Sequence, residues 1–496
     1  MSGHSRTAGS EGRVRVLFLA YYFPPLGGAG SQRTLKFAKY LPEHGFDVSV
    51  VSGSLGGEDR WAPADRAMCR EIDARTKVSR VNIYERPMRS QRLSRIMENL
   101  GHRSEFGHRW KLSAIEAGRR TCEELRPEII VATMSPFETA EVASQLSQEF
   151  DIPWIADLRD PWVLDEWQVY PSRWHRAIRL RRMRQSLASA SSVIMNTPEA
   201  AVRVRSAFPT LEPRVIHITN GYDAEDFELP VSGEGSNLFR IVHSGALHTM
   251  AGLRQKRLKL VYDLLGRTQP GVELLGRSHY YLLKALETWI QEDPGIRDKV
   301  RLDLVGTPSE GDLKIAEGSK VSGMVNFFGY LSHYDSLAKV REASLLFLPM
   351  HGIDSGAKAT IVPGKTYEYM ATGRPVLGAV PKGDCRDMLE AVGNCHTCAP
   401  NDVEGILKAI KVEYAKWLNG DSVSGRNWEM VGRFERRILT HELVRELNRV
   451  RDQRYVSQSV MTEDAEPSVG EDKNFEFSPS CITLNSWNWR QGSRNI

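Results

Sequence analysis

Short runs of β-branched and aromatic residues recur along the first half of the chain, separated by longer amphipathic stretches. A continuous apolar run, without strict alternation, is typical of a strand whose sheet is covered on both faces. Such strands, when they alternate with helical stretches, form parallel βα units. The runs occupy residues 14–23, 46–53, 128–136, 153–160, 192–200 and 215–223. This half therefore predicts a doubly wound α/β domain.

The same rhythm restarts after residues 229–237, whose Gly, Ser and Pro are typical of a linker. The second series of apolar runs occupies residues 239–248, 300–308, 324–332, 343–350 and 374–380. The predicted fold class is therefore α/β, with two doubly wound Rossmann-like domains that face each other across a cleft. Ligands of such domains bind outside the carboxyl ends of the strands.

The predicted domain boundaries follow from these two series. The first domain covers residues 13–228 and the second covers residues 238–427. Within the second, the basic and amphipathic residues 249–276 predict an inserted helical hairpin. From residue 455 to residue 496 the chain is polar and loses its periodicity, which predicts a disordered tail.

Composition excludes several classes of protein. The 496 residues are 41% hydrophobic and 26% charged, as in soluble globular proteins, and the net charge of +4 is too small to indicate nucleic-acid binding. Six scattered cysteines suit a reducing compartment. Cys395 and Cys398 have no second pair to complete a zinc site, so an ordinary strand is the preferred interpretation and no metal is expected. The sequence lacks a signal-peptide core and an apolar span of about 20 residues, which predicts a cytoplasmic protein.

A glycine-rich turn follows the first apolar run. Gly27, Gly28 and Gly30 precede a helix expected to begin near Ser31, and such a turn lets backbone N–H groups approach an anion. A dinucleotide site would require an acid at the end of the second strand, where the chain has "VVSG", so NAD is disfavoured. The segment Gly364–Thr366 resembles the end of a P-loop but lacks its first glycine, so that interpretation is rejected.

The segment "PWIADLRDPW" places polar residues at the end of a predicted strand. Asp157, Arg159 and Asp160 would lie at the rim of the cleft, where carboxylates can orient sugar hydroxyls or accept a proton. Trp154 and Trp162 could face a sugar ring. The alternative is a surface pair of Arg159 and Asp160, with Trp162 in the core.

Residues 173–184 carry six arginines and no acid. In a helix, Trp174, Ala177, Ile178 and Leu187 would form an apolar stripe flanked by positive charge, which is a shape that rests on an anionic membrane surface. The alternative is an ordinary solvated face.

The segment "ATIVPGKTYEYMATGRP" predicts a helix over residues 363–372, because proline favours the first helical position and Gly373 and Pro375 end it. Lys365 and Glu368 would then share one face. Such a pair contributes only about 0.2–0.5 kcal/mol as an ion pair. If this face lines a cleft, the ammonium can meet a diphosphate and the carboxylate can accept two ribose hydroxyls.

Several segments, in their order along the chain, resemble family 4 glycosyltransferases of the GT-B fold. They are "LFLAYYFPPLGGAGSQRTLKFAKYLPEHGFDVSVVSG", "PWIADLRDPW", "VIHITNGYD", "VNFFGYLSHYDSLAKVREASLLFLPM" and "VPGKTYEYMATGRPVLGAV". The resemblance implies an enzyme of polysaccharide biosynthesis that transfers a sugar from a nucleotide-diphosphate sugar to a hydroxyl acceptor, with retention and without a metal or other cofactor. It also implies that residues 428–452 form a helix that returns to the first domain.

The resemblance further assigns roles to individual residues. Glu368 takes the place of the acid that holds the donor ribose, whereas Thr360 stands where the family has its other acid. The diphosphate would be bound by Lys365 and by Arg277, with Arg254 as a rival. Lys256 is a second rival of Arg277. Other residues that the resemblance places near the donor are Gly245, Val362 and Gly364. The first-domain loop that approaches the donor contains Gly27, Gly28, Gly30, Ser31 and Arg33.

The acids and arginine of "PWIADLRDPW" fall where this family places residues that meet the transferred sugar and the acceptor. Asp157, Arg159 and Asp160 are therefore the candidate catalytic residues. Two alternatives stay open: a nucleotide-sugar epimerase or hydrolase of the same fold, and a non-catalytic protein that binds nucleotide sugars.

Overall fold

The computed structural model describes residues 12–55, 64–85, 104–228, 237–354, 356–421 and 425–463, with side chains up to residue 454. Nearly all of the predicted linker, residues 229–236, lies outside this part of the chain. Residues up to Asp452 form one compact unit that contains two parallel β-sheets flanked by helices, as the hydrophobic pattern predicts.

The first sheet has seven strands, all parallel. They are β1 (Val14–Leu19), β2 (Phe46–Gly53), β3 (Lys77–Val81), β4 (Ile129–Met134), β5 (Trp154–Leu158), β6 (Ser192–Met195) and β7 (Val215–His217). Their order is β3-β2-β1-β4-β5-β6-β7, the doubly wound order, in which the connection reverses between β1 and β4. The strand β3 was not predicted, because this edge strand carries mostly polar, exposed residues.

Helices cover both faces of this sheet. They are α1 (Ala29–Tyr40), α2 (Glu105–Leu125), α3 (Thr139–Phe150), α4 (Arg173–Leu187) and α5 (Pro198–Ala207). Along β1, Val16 and Phe18 belong to one buried apolar cluster, whereas Leu17 and Leu19 belong to a cluster on the opposite face. Burial on both faces explains why the strand lacks alternating polar residues. These elements are called the first domain below.

The second sheet has six strands. They are β8 (Phe239–Ser244), β10 (Val300–Val305), β11 (Val325–Gly329), β12 (Leu345–Pro349), β14 (Val376–Ala379) and β15 (Cys395–Cys398), in the order β11-β10-β8-β12-β14-β15. A separate antiparallel pair joins β9 (Val272–Glu273) to β13 (Gly352–Ile353). Cys395 and Cys398 thus lie in a strand, β15, as the preferred interpretation of the sequence predicted.

The helices of the second half complete what is called the second domain below. They are α6 (Thr249–Arg257), α7 (Lys259–Leu265), α8 (Tyr280–Glu292), α9 (Ile296–Lys299), α10 (Glu310–Glu317), α11 (His333–Arg341), α12 (Lys365–Ala371), α13 (Asp384–Val392) and α14 (Val403–Asn419). Helices α6 and α7 occupy the segment in which a hairpin was predicted. Helix α12 is shorter than the predicted 363–372 and begins at Lys365.

The end of the chain connects the two domains. Helix α15 (Trp428–Gly432) places Val431 in a core cluster of the second domain. Helix α16 (Arg436–Glu463) places Leu439, Leu443 and Leu447 in the core of the first domain, against β1, α1 and β2. Helix α16 extends beyond residue 455, where the tail was predicted to start, and residues 464–496 of that tail lie outside the described part.

We expect Leu447→Ala to lower the free energy of unfolding by about 2–5 kcal/mol, because it removes a fully buried side chain and leaves a cavity between α16 and the first domain. Denaturant unfolding followed by tryptophan fluorescence measures this loss. Ile438→Ala is the control, since Ile438 lies on the same helix and is 46% exposed. Equal losses in the two variants would contradict the packing of α16 on the first domain.

Candidate functional site

The two domains meet through side chains at the carboxyl ends of their strands. Thr197 Oγ1, at the start of α5, donates a hydrogen bond of 2.6 Å to the carbonyl oxygen of Thr360. Glu199 N donates to Asp384 Oδ2 at 2.7 Å, and Arg203 donates to the carbonyl oxygen of Lys358 at 2.8 Å. These contacts close one side of a cleft that is lined by charged residues from both domains.

Lys365 is the first residue of α12 and points toward the end of β8. Its Nζ donates to Nε2 of His243 at 3.2 Å, and His243 Nδ1 donates to the carbonyl oxygen of Phe347 at 3.0 Å. Burial and the charge of Lys365 hold the pKa of His243 well below its usual range, so the ring is neutral. A neutral histidine orients the ammonium without neutralising its charge.

Gly245 makes room for this ammonium. The residue has a φ of +112° and follows β8, and a Cβ at this position would lie 2.5 Å from Lys365 Nζ. Both its backbone conformation and the close approach of the lysine therefore require glycine. The structure thus brings together two of the residues that the sequence assigned to the donor site.

Arg277 supplies a second positive charge near Lys365. Its guanidinium lies over the ring of Trp167, 4.6 Å from the centroid, and its Nη1 has no hydrogen-bond partner among the described residues. Burial lowers the pKa of Lys365 to about 7, and the charge of Arg277 acts in the same direction. Two buried cations that repel each other form a site for an anion. The rivals Arg254 and Lys256 are exposed on α6 instead.

The remaining residues expected near the donor lie around α12. Gly364 precedes the helix and is half-buried, and Val362 is buried in the adjacent core. Glu368 is partly exposed, with Oε1 4.0 Å from Nδ1 of His333. His333 Nε2 also lies 3.1 Å from Asp226 Oδ2. Burial lowers the pKa of His333, but the hydrogen bond to Asp226 and the charges of Glu368 and Asp226 together outweigh burial, so this pKa is raised overall. The carboxylate of Glu368 therefore remains available at the cleft surface.

Asp157 does not line the cleft as expected. The residue is 1% exposed, and its carboxylate accepts hydrogen bonds from Arg33 Nη2 at 2.8 Å and from Thr133 Oγ1 at 3.3 Å. Arg33 is equally buried and also donates to the carbonyl oxygen of Thr219 at 2.8 Å. This pair anchors α1 to the sheet, so the geometry does not fit a contact between Asp157 and substrate. Arg33, expected in the donor loop, is an anchor for the same reason.

Arg159 lies instead beside the glycine-rich loop. Its guanidinium donates to the carbonyl oxygen of Met134 at 2.7 Å, and a Cβ on Gly30 would collide with it. Gly28, with a φ of +82°, begins α1, and Ser31 Oγ donates to the carbonyl oxygen of Leu26. Asp160 is exposed. The loop of Gly27, Gly28 and Gly30 is thus next to the positive charge of Arg159.

The tryptophans near this segment belong to the core. Trp154 is fully buried, and Trp162 stacks on Phe137 with ring centroids 4.5 Å apart. The core alternative for Trp162 is therefore correct. The expected surface pair of Arg159 and Asp160 is not formed, because the guanidinium of Arg159 bonds to backbone carbonyls.

Thr360 is fully buried, and its neighbour is an acid from the other domain. Glu166 Oε1 accepts from Thr360 N at 2.9 Å, and Glu166 Oε2 accepts from the Thr360 hydroxyl. The same carboxylate contacts His351 Nε2 at 3.2 Å and Arg203 Nη1 at 3.0 Å. A carboxylate therefore lies beside residue 360, although residue 360 itself is not acidic.

Sequence reasoning missed several polar residues of the cleft. In the described part of the chain, polar side-chain atoms that are buried without a hydrogen-bond partner include Asp165 Oδ2, Trp167 Nε1, His351 Nδ1, Tyr367 Oη and Arg436 Nη1. Buried polar atoms are normally paired, so unpaired atoms that lie together in a cleft are candidates for contact with a ligand. The sequence "VLDEW" at 163–167, with two acids and a tryptophan after β5, was the available signal.

A group of acids elsewhere has a different explanation. Among the described residues, Glu71, Asp223 and Asp226 approach one another closely enough to bind a metal ion. The ammonium of Lys36 lies between them, 2.7 Å from Asp223 and 3.2 Å from Asp226. The cation in this group is therefore a lysine side chain.

Comparisons with known proteins agree with this architecture. Residues 28–221 match the family "Glycosyl transferase 4-like domain", and residues 269–414 match the family "Glycosyl transferases group 1". One curated relative, the D-inositol 3-phosphate glycosyltransferase of Geodermatophilus obscurus, is 24% identical over 231 residues, which are 45% of this chain and 43% of that protein. The chain thus spans less than half the length of this relative.

Solved structures resemble the whole two-domain fold. The sucrose-phosphate synthase of Thermosynechococcus elongatus has a TM-score of 0.59 at 13% identity, over 88% of this chain and 99% of that one. Anabaena HepE in complex with UDP-glucose has a TM-score of 0.55 at 16% identity, over 88% of this chain and 99% of that one. The Burkholderia multivorans trehalose 6-phosphate synthase has a TM-score of 0.55 at 12% identity, over 92% of this chain and 100% of that one.

Together the two family matches cover more than half of the chain, follow the order of its two sheets and include Lys365 and Arg277, whereas His243 and Gly245 lie between the matched ranges. The chain therefore belongs to the glycosyltransferases of the GT-B fold, with a 4-like first domain and a group 1 second domain.

Proposed function

We propose that the protein transfers a sugar, with retention, from a nucleotide-diphosphate sugar to a hydroxyl acceptor. The observation that carries this proposal is the pair of buried cations, Lys365 and Arg277, which have a neutral histidine and an indole as neighbours. A diphosphate supplies the negative charge that these side chains lack. The neighbour HepE was solved with UDP-glucose, which fits the same class of donor.

The reaction then depends on charge stabilisation. As the bond from the sugar to the diphosphate breaks, negative charge grows on the leaving oxygen, and Lys365 and Arg277 stabilise it. The leaving diphosphate takes the proton of the incoming hydroxyl on the same face of the sugar. Glu368 accepts hydrogen bonds from the ribose, which fixes the donor. No metal or cofactor is needed in this scheme.

The acceptor is a hydroxyl of a surface glycan, a lipid-linked sugar or a small molecule. Its side of the cleft is formed by the glycine-rich loop, Arg159 and the exposed Asp160. Because the carboxylate of Asp157 is bound to Arg33, Asp160 is the acid of that segment that can reach the acceptor. An enzyme of this kind would act in polysaccharide biosynthesis.

A thermal-shift screen tests the proposal directly. The panel contains UDP, GDP and ADP, together with UDP-glucose, UDP-N-acetylglucosamine, GDP-mannose and ADP-glucose. A donor stabilises the folded state by mass action, so the correct nucleotide should raise the melting temperature. Turnover of the selected donor without any acceptor would instead favour the epimerase or hydrolase. Absence of any shift across the panel would contradict a nucleotide-sugar site.

We expect Lys365→Ala and Glu368→Ala each to weaken binding of the selected nucleotide sugar by more than about tenfold, or roughly 1.4 kcal/mol, because each removes a charged contact to the donor. Titration calorimetry measures the affinities. Lys408→Ala, which changes an exposed lysine on α14, is the control and should bind normally. Unchanged affinity in both site variants would remove α12 from the donor site.

Donor binding should depend on pH through Lys365. With a pKa of about 7, the free ammonium loses its proton as pH rises above 7, whereas a bound diphosphate raises this pKa. Affinity should therefore fall by up to about tenfold per pH unit between pH 7.5 and pH 9. Calorimetry in Tris and in HEPES should detect uptake of a proton on binding at pH 8.

The variant Lys365→Arg provides the control for this pH dependence. Lys365→Arg keeps its charge over the whole range, so its affinity should vary little with pH and its binding should take up almost no proton. A slope as steep as that of the unmodified protein would show that another group titrates.

We also propose that the protein rests on an anionic membrane surface through α4 and the adjacent helix α7. Trp174 is 56% exposed, and Leu260 and Leu264 on α7 are 85% and 77% exposed. Arg173 Nη2 donates to the carbonyl oxygen of Leu264 at 3.2 Å, so the two helices form one continuous surface. Exposed apolar side chains surrounded by arginines are typical of interfacial helices.

The membrane surface differs from the stripe predicted from sequence. Leu187 is fully buried in the first domain, and Arg182 pairs with Glu138 and Glu141. Trp174 and the neighbouring α7 leucines remain outside. None of the described helices is both long and apolar enough to cross a bilayer.

The unmodified protein should sediment with vesicles that contain equal parts of phosphatidylglycerol and phosphatidylcholine, but not with phosphatidylcholine alone. The double variant Leu260→Glu, Leu264→Glu should lose most of this binding, because it places acids against an anionic surface. Leu418→Glu, at a leucine that is 54% exposed on α14, is the matched control. Equal sedimentation of both variants would contradict the location of the surface.

A further inference from the structure

The loop of residues 165–167 belongs to the first domain but contacts the second. It follows the short helical turn Trp162–Leu164, which is buried in the first domain. Glu166 reaches residue 360 of the second domain, and Trp167 lies over Arg277 and against His248. The loop thus contacts Arg277 itself and the segment that precedes Lys365.

Glu166 holds this loop in place. Its two carboxylate oxygens accept four hydrogen bonds, two from Thr360 and one each from His351 and Arg203. Although burial opposes ionisation, the bond from His351 lowers the pKa of Glu166 to about 2. A fully bonded carboxylate has no free position for a ligand. Its role is therefore to fasten the loop to residue 360.

Asp165 is in the opposite situation. The residue is 1% exposed, its Oδ1 accepts from Trp167 N at 3.2 Å, and its Oδ2 has no partner in the described part of the chain. Burial and the charges of Asp160 and Glu166 raise the pKa of Asp165 well above its usual range. This shift favours the protonated carboxyl group, which can both donate and accept a hydrogen bond.

Two further unpaired atoms accompany Asp165. Trp167 Nε1 and Arg277 Nη1 are also buried and lack hydrogen-bond partners among the described residues. The positive charge of Arg277 acts on Asp165, although no hydrogen bond joins the two. A ligand with several hydroxyls could pair these unpaired donors and the acceptor beside the proposed diphosphate site.

We propose that Asp165, held by the Glu166–Thr360 contact, hydrogen-bonds a hydroxyl of the transferred sugar and thereby supplies from the first domain the acidic contact that residue 360 lacks. This inference rests on the proposed function. A carboxyl group suits the sugar better than the diphosphate, because it pairs with hydroxyls and does not attract phosphate. Since the loop belongs to the first domain, the contact exists only when the domains are closed.

The test compares a nucleoside diphosphate with its nucleotide sugar. We expect Asp165→Leu to weaken binding of the nucleotide sugar at least tenfold and to leave the nucleoside diphosphate within twofold, because only the sugar loses a hydrogen bond. The ligands are the pair selected from the panel above, measured by calorimetry. Asp165→Asn keeps a donor and an acceptor, so it should stay within threefold of the unmodified protein for both ligands.

Stability provides the check on folding. Asp165→Leu removes the hydrogen bond from Trp167 N to Asp165 Oδ1, so its melting temperature should fall, whereas Asp165→Asn keeps an acceptor there and should melt like the unmodified protein. Asp421→Asn, at an exposed residue, is the surface control. An equal loss of affinity for both ligands, or no loss for either, would overturn the inference. If the unmodified protein bound no nucleotide of the panel, the proposed function would fail first.

An exchange of residues tests the second half of the proposal. Glu166→Thr should weaken binding of the nucleotide sugar at least tenfold, because it releases the loop from residue 360. Adding Thr360→Glu returns an acid to the second domain, and the double variant should recover to within threefold. The proposal would be contradicted if the double variant bound the nucleotide sugar no more tightly than Glu166→Thr while its melting temperature was unchanged. The acid would then not be interchangeable between the two domains.

Discussion

The positive charges on Lys365 and Arg277 lie close together in the cleft and form no salt bridge with a described residue, although Glu368 and Asp165 act on them at a distance. The rest of the site is arranged around these two charges. Moving an ion out of water costs several kcal/mol, even after the protein relaxes. The protein lessens this cost for Lys365 with a neutral histidine and for Arg277 with an indole face, neither of which removes the charge. The uncompensated charge remains available to a ligand.

Inside the first domain, two other buried cations are paired with carboxylates. Arg33 and Asp157 bond to each other inside the first domain, and Lys36 is surrounded by three acids. This contrast separates charges that stabilise the fold from charges that await a ligand. The short segment "ADLRD" contains an acid of each kind. Asp157 is paired with Arg33 inside the sheet, whereas Asp160 is exposed and unpaired with Arg33.

The sequence was sufficient to predict the two sheets and to place Lys365 and Glu368 on one helix. Strands buried on both faces have continuous apolar runs, so β1, β4, β8 and β12 could be located directly. Lys365 and Glu368 could be placed on one helix because both lie within two turns of Pro363 and Gly373. The edge strand β3 could not be predicted, because an exposed edge needs few apolar residues.

Contacts between residues distant in sequence were beyond prediction. The partner of Thr360 is Glu166, 194 positions away, and the partner of Lys365 is His243, 122 positions away. Periodicity reports which face of an element is buried but not which side chain meets it from another domain. For the same reason Asp157 looked like a rim residue, although Arg33 of α1 holds it in the interior.

The path of the last two helices limits how this chain can be divided. Val431 of α15 packs in the second domain, whereas Leu443 and Leu447 of α16 complete the core of the first. A first domain cut at the linker would expose the apolar surface that α16 covers. Modular exchange with a related enzyme must therefore graft α16 together with the first domain, so the units of recombination are discontinuous in sequence.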